Sequence, residues 1–165
     1  MLSRLIKILH ELGAAGVIGA FVADLVLIMH APTDSLVGYA ETRRNIALLS
    51  QWLLVPSLAL TLISGLLSIA ATEAYKNAGW AWTKALLGIS MFEGTLLTVV
   101  ASGRRAAELS ALAAAGNPDP AQLAEALRTE RGGIWVLLTV AFLNVVLGVW
   151  RPRISRLVRI TENTD

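Results

Sequence analysis

Apolar residues are grouped along this chain into four long runs, separated by shorter polar segments. The runs cover residues 5–29, 46–72, 80–101 and 134–150. A hydrocarbon layer of roughly 30 Å takes about 20 helical residues to cross, so each run predicts a transmembrane helix. The pattern therefore predicts an all-α polytopic membrane protein, built as an antiparallel bundle of four transmembrane helices.

The longest connection, residues 102–133, is organised rather than irregular. Its two Ala-rich halves are separated by a turn in which Asp119 can cap the second helix, Pro120 can begin it and Gln122 can complete a capping box. We expect span three to continue outside the bilayer, turn, and return through a short helix that ends at Arg131. The sequence thus predicts a helical protrusion between helices three and four.

The other connections are a loop at residues 30–44 and a short polar link at 73–79. A basic tail at residues 151–165 follows span four and predicts a cytosolic juxtamembrane anchor. The N-terminal apolar run contains His10 and Glu11, so we expect it to be the first helix rather than a cleaved signal peptide.

Composition supports one membrane domain over residues 1–165. Hydrophobic residues make up 55% of the chain, more than the roughly 45–50% of soluble domains. The chain has no cysteine, which excludes disulfides and thiolate metal ligands. The net charge of +2 comes from arginines clustered outside the apolar runs, which suits lipid headgroups and does not indicate nucleic-acid binding.

One stripe of the first span combines a histidine with small residues. Gly13 follows His10 on this stripe. Beside it, Gly16 and Ala20 form a pair whose spacing lets a neighbouring backbone or a flat ligand come close. One reading is a helix-packing groove in which His10 bonds to a carbonyl group. The other is an axial haem or metal ligand at His10, with the glycines leaving room for the porphyrin.

Lys84 lies four residues into span three, on the membrane face that also holds His10. It can snorkel to the headgroups, or its ammonium group can meet the propionates of a haem bound to His10. Met91 shares its helix face. His30 is twenty residues from His10, about 30 Å along a helix, so these two histidines cannot bind one iron within a single chain.

Besides Glu11 near the start of the first run, two acids lie within the apolar runs, Asp24 and Glu93. Buried carboxylates in a bilayer are costly and usually mark a pathway or a site, so Asp24 and Glu93 are candidates for a proton relay or a cation route. Asp24 could instead pair with Arg43 or Arg44 at the interface. Glu93 could form a structural hydrogen bond with Asn144.

Three segments carry a resemblance to known proteins: LIKILHELGAAGVIGA at 5–20, WLLVPSLALTLISGLLSIA at 52–70 and GWAWTKALLG at 79–88. Together they resemble a family of uncharacterised bacterial four-helix integral membrane proteins. That family is distantly similar to small membrane protoporphyrinogen oxidases and to copper-resistance D-type proteins. The resemblance implies b-type haem at His10 and a role in activity for Lys84, and it implies a location in the bacterial inner membrane.

The resulting expectation is a membrane protein that binds haem b through His10, Gly13, Gly16, Lys84 and Met91. Glu93 and Asp24 would then move protons to a redox step, and a haem-dependent oxidoreductase with an electron-transfer partner is one possibility. The alternatives are a small proton- or cation-coupled transporter, or a non-catalytic membrane subunit. Homo-oligomerisation is expected through the small-residue flank of span one.

Overall fold

The computed structural model describes residues 2–150, with side chains from residue 4 onward. Four long helices cover most of this part of the chain, and no strand occurs in it. They are α1 (Leu2–Met29), α2 (Leu36–Ala71), α3 (Gly79–Ala114) and α4 (Pro120–Trp150). A single helical turn, Glu73–Lys76, lies between α2 and α3. All four long helices are apolar enough to span a membrane, so the predicted all-α polytopic fold is confirmed.

Helices α2, α3 and α4 are longer than a bilayer requires. At 36 residues each, α2 and α3 are about 54 Å long, well beyond the roughly 30 Å of the hydrocarbon layer. Their more polar ends pack on each other and on the start of α4. We call this assembly, residues 36–49, 101–114 and 120–133, the helical cap. It rests on the end of the bundle where α1 finishes.

The helices extend further than the sequence predicts. The expected loop at 30–44 is shorter, because α2 begins at Leu36, where the Ser35 side chain accepts a hydrogen bond from the backbone N–H of Gly38. The expected break near Gly133 is absent, and α4 runs unbroken through it. A side chain at Gly133 would collide with Thr98 of α3, so this glycine allows close helix packing and does not end the helix.

The turn of the cap has the N-cap that the sequence predicts. The capping box is not completed, because the Gln122 side chain bonds the Asp119 carboxylate and Arg105 and not the Asp119 backbone N–H. Asp119 accepts hydrogen bonds from the backbone N–H of Gln122 at 3.0 Å and from its amide Nε2 at 2.7 Å, which confirms the N-cap. Gly116 adopts a φ of 88°, a conformation that favours glycine. The basic tail at 151–165 lies outside the described residues.

Each of two long helices contains a π-helical turn, Ser50–Leu54 in α2 and Thr95–Val100 in α3. The two turns contact each other where the cap meets the bundle. In α2 the turn comes just before Pro56, which has no N–H to donate to the preceding turn, so the backbone hydrogen bonds there are rearranged. Such turns are frequent at functional sites.

The four helices pack in chain order around one apolar core. Each contacts the next along the chain, α1 and α2 most extensively, and α4 closes the ring against α1. The buried core residues come from all four helices: Val17, Ala20, Phe21, Leu54, Leu58, Met91, Val99, Ile134, Leu137 and Ala141. This core fills the membrane part of the bundle directly below the cap.

Candidate functional site

A buried carboxylate marks the junction between bundle and cap. Asp24, near the end of α1, is completely inaccessible to solvent. Ser50, the first residue of the π-helical turn of α2, donates a hydrogen bond of 2.8 Å to its Oδ2 atom. Within residues 4–150, the other carboxylate oxygen, Oδ1, has no hydrogen-bond partner. Asp24 is therefore buried with half of its hydrogen-bonding capacity unused.

A buried ion pair lies beside this carboxylate. Arg43 of α2 donates a short hydrogen bond to Glu130 of α4, and both side chains are only 1% exposed. Gly103 of α3 makes room for the pair, since a Cβ atom there would lie 2.8 Å from Oε1 of Glu130. The charges of Arg43 and Glu130 both act electrostatically on Asp24. The three ionisable groups thus form one buried cluster.

Several polar atoms of this junction lack partners among the described side chains. They are Oδ1 of Asp24, Nε and Nη1 of Arg43 and Oε1 of Glu130. More than nine in ten buried polar groups in proteins are hydrogen-bonded. This group of exceptions around one ion pair makes the junction the candidate site among the described residues.

Sequence reasoning found Asp24 but missed its surroundings. The suggested pairing of Asp24 with Arg43 or Arg44 is wrong, because Arg43 bonds Glu130 and Arg44 is exposed. Neither Ser50 nor Glu130 has a local sequence signal that sets it apart. The polar stretch 120–131 is amphipathic by helical spacing, and a helical-wheel projection of the cap could have placed Glu130 on its inner face.

His10 is engaged in helix packing between α1 and α2. Its Nδ1 atom lies 2.9 Å from the carbonyl oxygen of Thr61 and 3.3 Å from Oγ of Ser64. Only an Nδ1 that carries its proton can donate a hydrogen bond to the carbonyl oxygen. The histidine bonded to a neighbouring carbonyl, one of the two readings open from the sequence, is the arrangement present.

Side chains and backbone of α2 fill the space beside the glycines that follow His10, so no gap remains there. A Cβ atom at Gly13 would collide with Thr61, and one at Gly16 would lie 2.9 Å from Cβ of Ser57. The small-residue flank of α1 therefore serves the contact between α1 and α2. This packing leaves no room for a haem between α1 and α2.

Lys84 and Met91 contact other parts of the bundle than His10 does. The ammonium group of Lys84 lies against α4, since a Cβ atom at Gly148 would be 2.7 Å from Nζ. Met91 is buried in the common core and lines a groove between α3 and α4. The structure therefore does not bring together the predicted haem-binding residues.

Glu93 lies on the outside of the bundle. Its side chain is exposed and forms no hydrogen bond with the described residues. The pairing with Asn144 is not formed, since Oδ1 of Asn144 is buried without a partner. Glu93 and Asp24 therefore do not line one common interior route.

Among residues 2–150 no group of three or more His, Asp or Glu side chains is placed to hold a metal ion.

A family model described as a predicted integral membrane protein, DUF2269, matches residues 4–152. The chain belongs to the DUF2269 family. This confirms membership of a family of integral membrane proteins, multi-pass by its four candidate spans. Searches of curated proteins and of solved structures found no match for this DUF2269 protein.

Proposed function

We propose that this protein is a proton- or cation-coupled transport protein of the bacterial inner membrane, with Asp24 as the exchanging carboxylate. The observation that carries the proposal is the burial of Asp24 without a neutralising partner. A carboxylate in a membrane interior is stable only when it is paired, hydrated or protonated. An acid in this position therefore gains stability by taking up a proton or a cation.

The neighbouring ion pair does not neutralise Asp24. Arg43 bonds Glu130, and the charges of the two groups act on Asp24 in opposite senses. Ser50 supplies a single neutral hydrogen bond, which orients the carboxylate but adds no positive charge. Uptake of one positive charge at Asp24 would change the field on Arg43 and Glu130, and through them the contact between α2 and α4 in the cap.

The surroundings of Asp24 favour alternating access over an open channel. On the cap side lie the unpartnered polar atoms of Arg43 and Glu130. On the bundle side lies the apolar core that includes Phe21, Leu54 and Leu58. The polar atoms therefore favour the cap side as the route of approach. Because Asp24, Arg43 and Glu130 are all buried, entry and exit both require the helices to rearrange.

The π-helical turns supply a place for such a rearrangement. Ser50 and Thr95 begin the two turns, and both side chains are buried. A π turn holds one extra residue that can move along the helix as hydrogen bonds shift between π and α spacing. Because Ser50 bonds Asp24 directly, charging or neutralising Asp24 would bias the turn in α2.

Proton uptake by proteoliposomes that enclose a pH-sensitive dye tests this function. We expect Asp24→Asn to lower the flux driven by a membrane potential at least tenfold. Glu93→Gln, which changes an acid outside the cluster, should retain the native flux and is the matched control. Repeating the assay with sodium or potassium gradients distinguishes a proton from a metal cation. Equal fluxes for native protein and Asp24→Asn in every gradient would refute the proposal.

Haem binding stays a separate prediction that rests on the resemblance to membrane protoporphyrinogen oxidases. The Nδ1 atom of His10 faces the Thr61 carbonyl oxygen, which leaves Nε2 as the ring nitrogen that could bind iron. No part of the transport proposal uses a haem. A Soret band in protein purified after haem supplementation, lost in His10→Ala, would support haem binding at His10.

A further inference from the structure

Glu93 occupies an unusual position for an ionisable residue. It lies fourteen residues after Gly79, where α3 begins, or about 21 Å along the helix. The apolar run continues for eight residues beyond it, to residue 101. Glu93 is thus deep in the hydrocarbon layer, yet its side chain is exposed on the outer surface of the bundle.

The rest of this helix face is apolar except for one hydroxyl group. Leu86, Ile89 and Leu97 are 66%, 45% and 65% exposed, as expected of a surface that faces lipid. Ser90 is exposed one turn before Glu93, so the two polar side chains lie together on one face of α3. Neither has a hydrogen-bond partner among the described residues.

A groove runs along this face between α3 and α4. It has a volume of about 390 Å³ and is lined by Ser90, Met91, Gly94 and Gly133 together with leucine and valine side chains. At its floor the two helices approach closely, because Gly94 and Gly133 carry no side chains. The groove and the polar pair form one continuous surface, which we call the Glu93 face.

We propose that the Glu93 face binds the same face of a second copy of this chain within the membrane. An acyl chain could fill the groove, but it offers nothing to a carboxyl group. All copies of a membrane protein insert in one orientation, so a two-fold axis along the membrane normal brings equal depths together. Glu93 of one copy then meets Glu93 and Ser90 of the other.

The chemistry of this pairing is self-complementary. A protonated carboxyl group both donates and accepts hydrogen bonds, so two Glu93 side chains satisfy each other, with Ser90 as an additional donor. Polar side chains that bond across helices are a known means of joining transmembrane helices. The interface differs from the one expected from the sequence, since the small-residue flank of α1 is covered by α2.

The absence of cysteine from the chain permits a direct test. Ile89→Cys places a thiol on the Glu93 face, one turn from Glu93. Ile63→Cys is the control, because Ile63 lies on the outside of α2 at similar depth and is 57% exposed. In oxidised proteoliposomes at low protein density, we expect Ile89→Cys to form disulfide-linked dimers at least fivefold more than Ile63→Cys.

A second substitution links the dimer to the carboxyl group. Adding Glu93→Leu to Ile89→Cys should reduce cross-linking to the level of Ile63→Cys, whereas Glu93→Gln should retain it because an amide also donates and accepts. Because the Glu93 side chain is exposed, Glu93→Leu should not disturb folding. In size-exclusion chromatography this variant should elute as a folded monomer. Equal cross-linking at both cysteine positions, or full cross-linking in the Glu93→Leu background, would overturn the proposal. Cross-linking of Ile89→Cys to a different protein in native membranes would do so as well.

Discussion

Among individual residues, Arg43 and Glu130 form an ion pair that is almost completely buried. Both side chains are 1% exposed, and each retains a polar atom without a partner in the described structure. Removing one member of such a pair leaves the other charge buried and uncompensated, which costs far more than losing a surface ion pair. The pair therefore joins α2 to α4 and makes the cap sensitive to any change of charge next to it.

We expect Arg43→Gln to lower the free energy of unfolding by about 3–5 kcal/mol, because Glu130 would remain buried without its counter-charge. Arg44→Gln is the matched control: Arg44 is the next residue and is exposed, so its effect should stay within about 0.5 kcal/mol. Unfolding titrations in mixed detergent micelles measure both. A loss as small for Arg43→Gln as for Arg44→Gln would mean that the pair does not hold the cap.

Between elements, the contact of α1 with α2 depends on glycines, whose lack of a side chain lets the two helices come close. Gly13 and Gly16 let Thr61 and Ser57 approach the backbone of α1, and His10 adds a hydrogen bond to the Thr61 carbonyl. In a bilayer, where lipid is as apolar as the core, close packing and interhelical hydrogen bonds do much of the work of association. The position of Asp24 at the end of α1 is set by this contact.

Gly13→Ala should push α1 away from α2 and destabilise the bundle by about 1–3 kcal/mol, the usual range for overpacking. Gly19→Ala makes the same chemical change on the same helix at a position where nothing lies within 4 Å of the new Cβ atom. It should be neutral or slightly stabilising, because alanine favours a helix. Thermal denaturation of the two variants side by side distinguishes packing from propensity. Equal melting temperatures would contradict the tight contact.

For the molecule as a whole, the apolar runs predicted the class of fold because crossing a bilayer is a property of composition and length. The cap could be anticipated in part, since the turn around Asp119 carries a local signal. The directions of side chains could not. A membrane helix is apolar toward lipid and toward the core alike, so its periodicity does not say whether Glu93 faces in or out. Glu130 became a site residue only through the packing of distant segments.

The assembled picture is a four-helix membrane bundle with a helical cap, and a carboxylate enclosed where the two meet. Asp24 depends on several elements at once. Helix α1 positions it, Ser50 of α2 orients it, and the charges of Arg43 and Glu130 connect it electrostatically to the cap. The proposed function rests on this enclosure. If the protein is a transporter, the enclosed carboxyl group is the group that takes up and releases the positive charge.

Infrared difference spectroscopy of the protein in lipid measures that exchange directly. When the pH or the cation gradient is stepped, the native protein should show a change in carboxyl stretching absorption that Asp24→Asn removes and Glu93→Gln does not. Identical carboxyl bands in the difference spectra of the native protein and of Asp24→Asn would contradict the account. Asp24 would then be a structural group that does not change its charge.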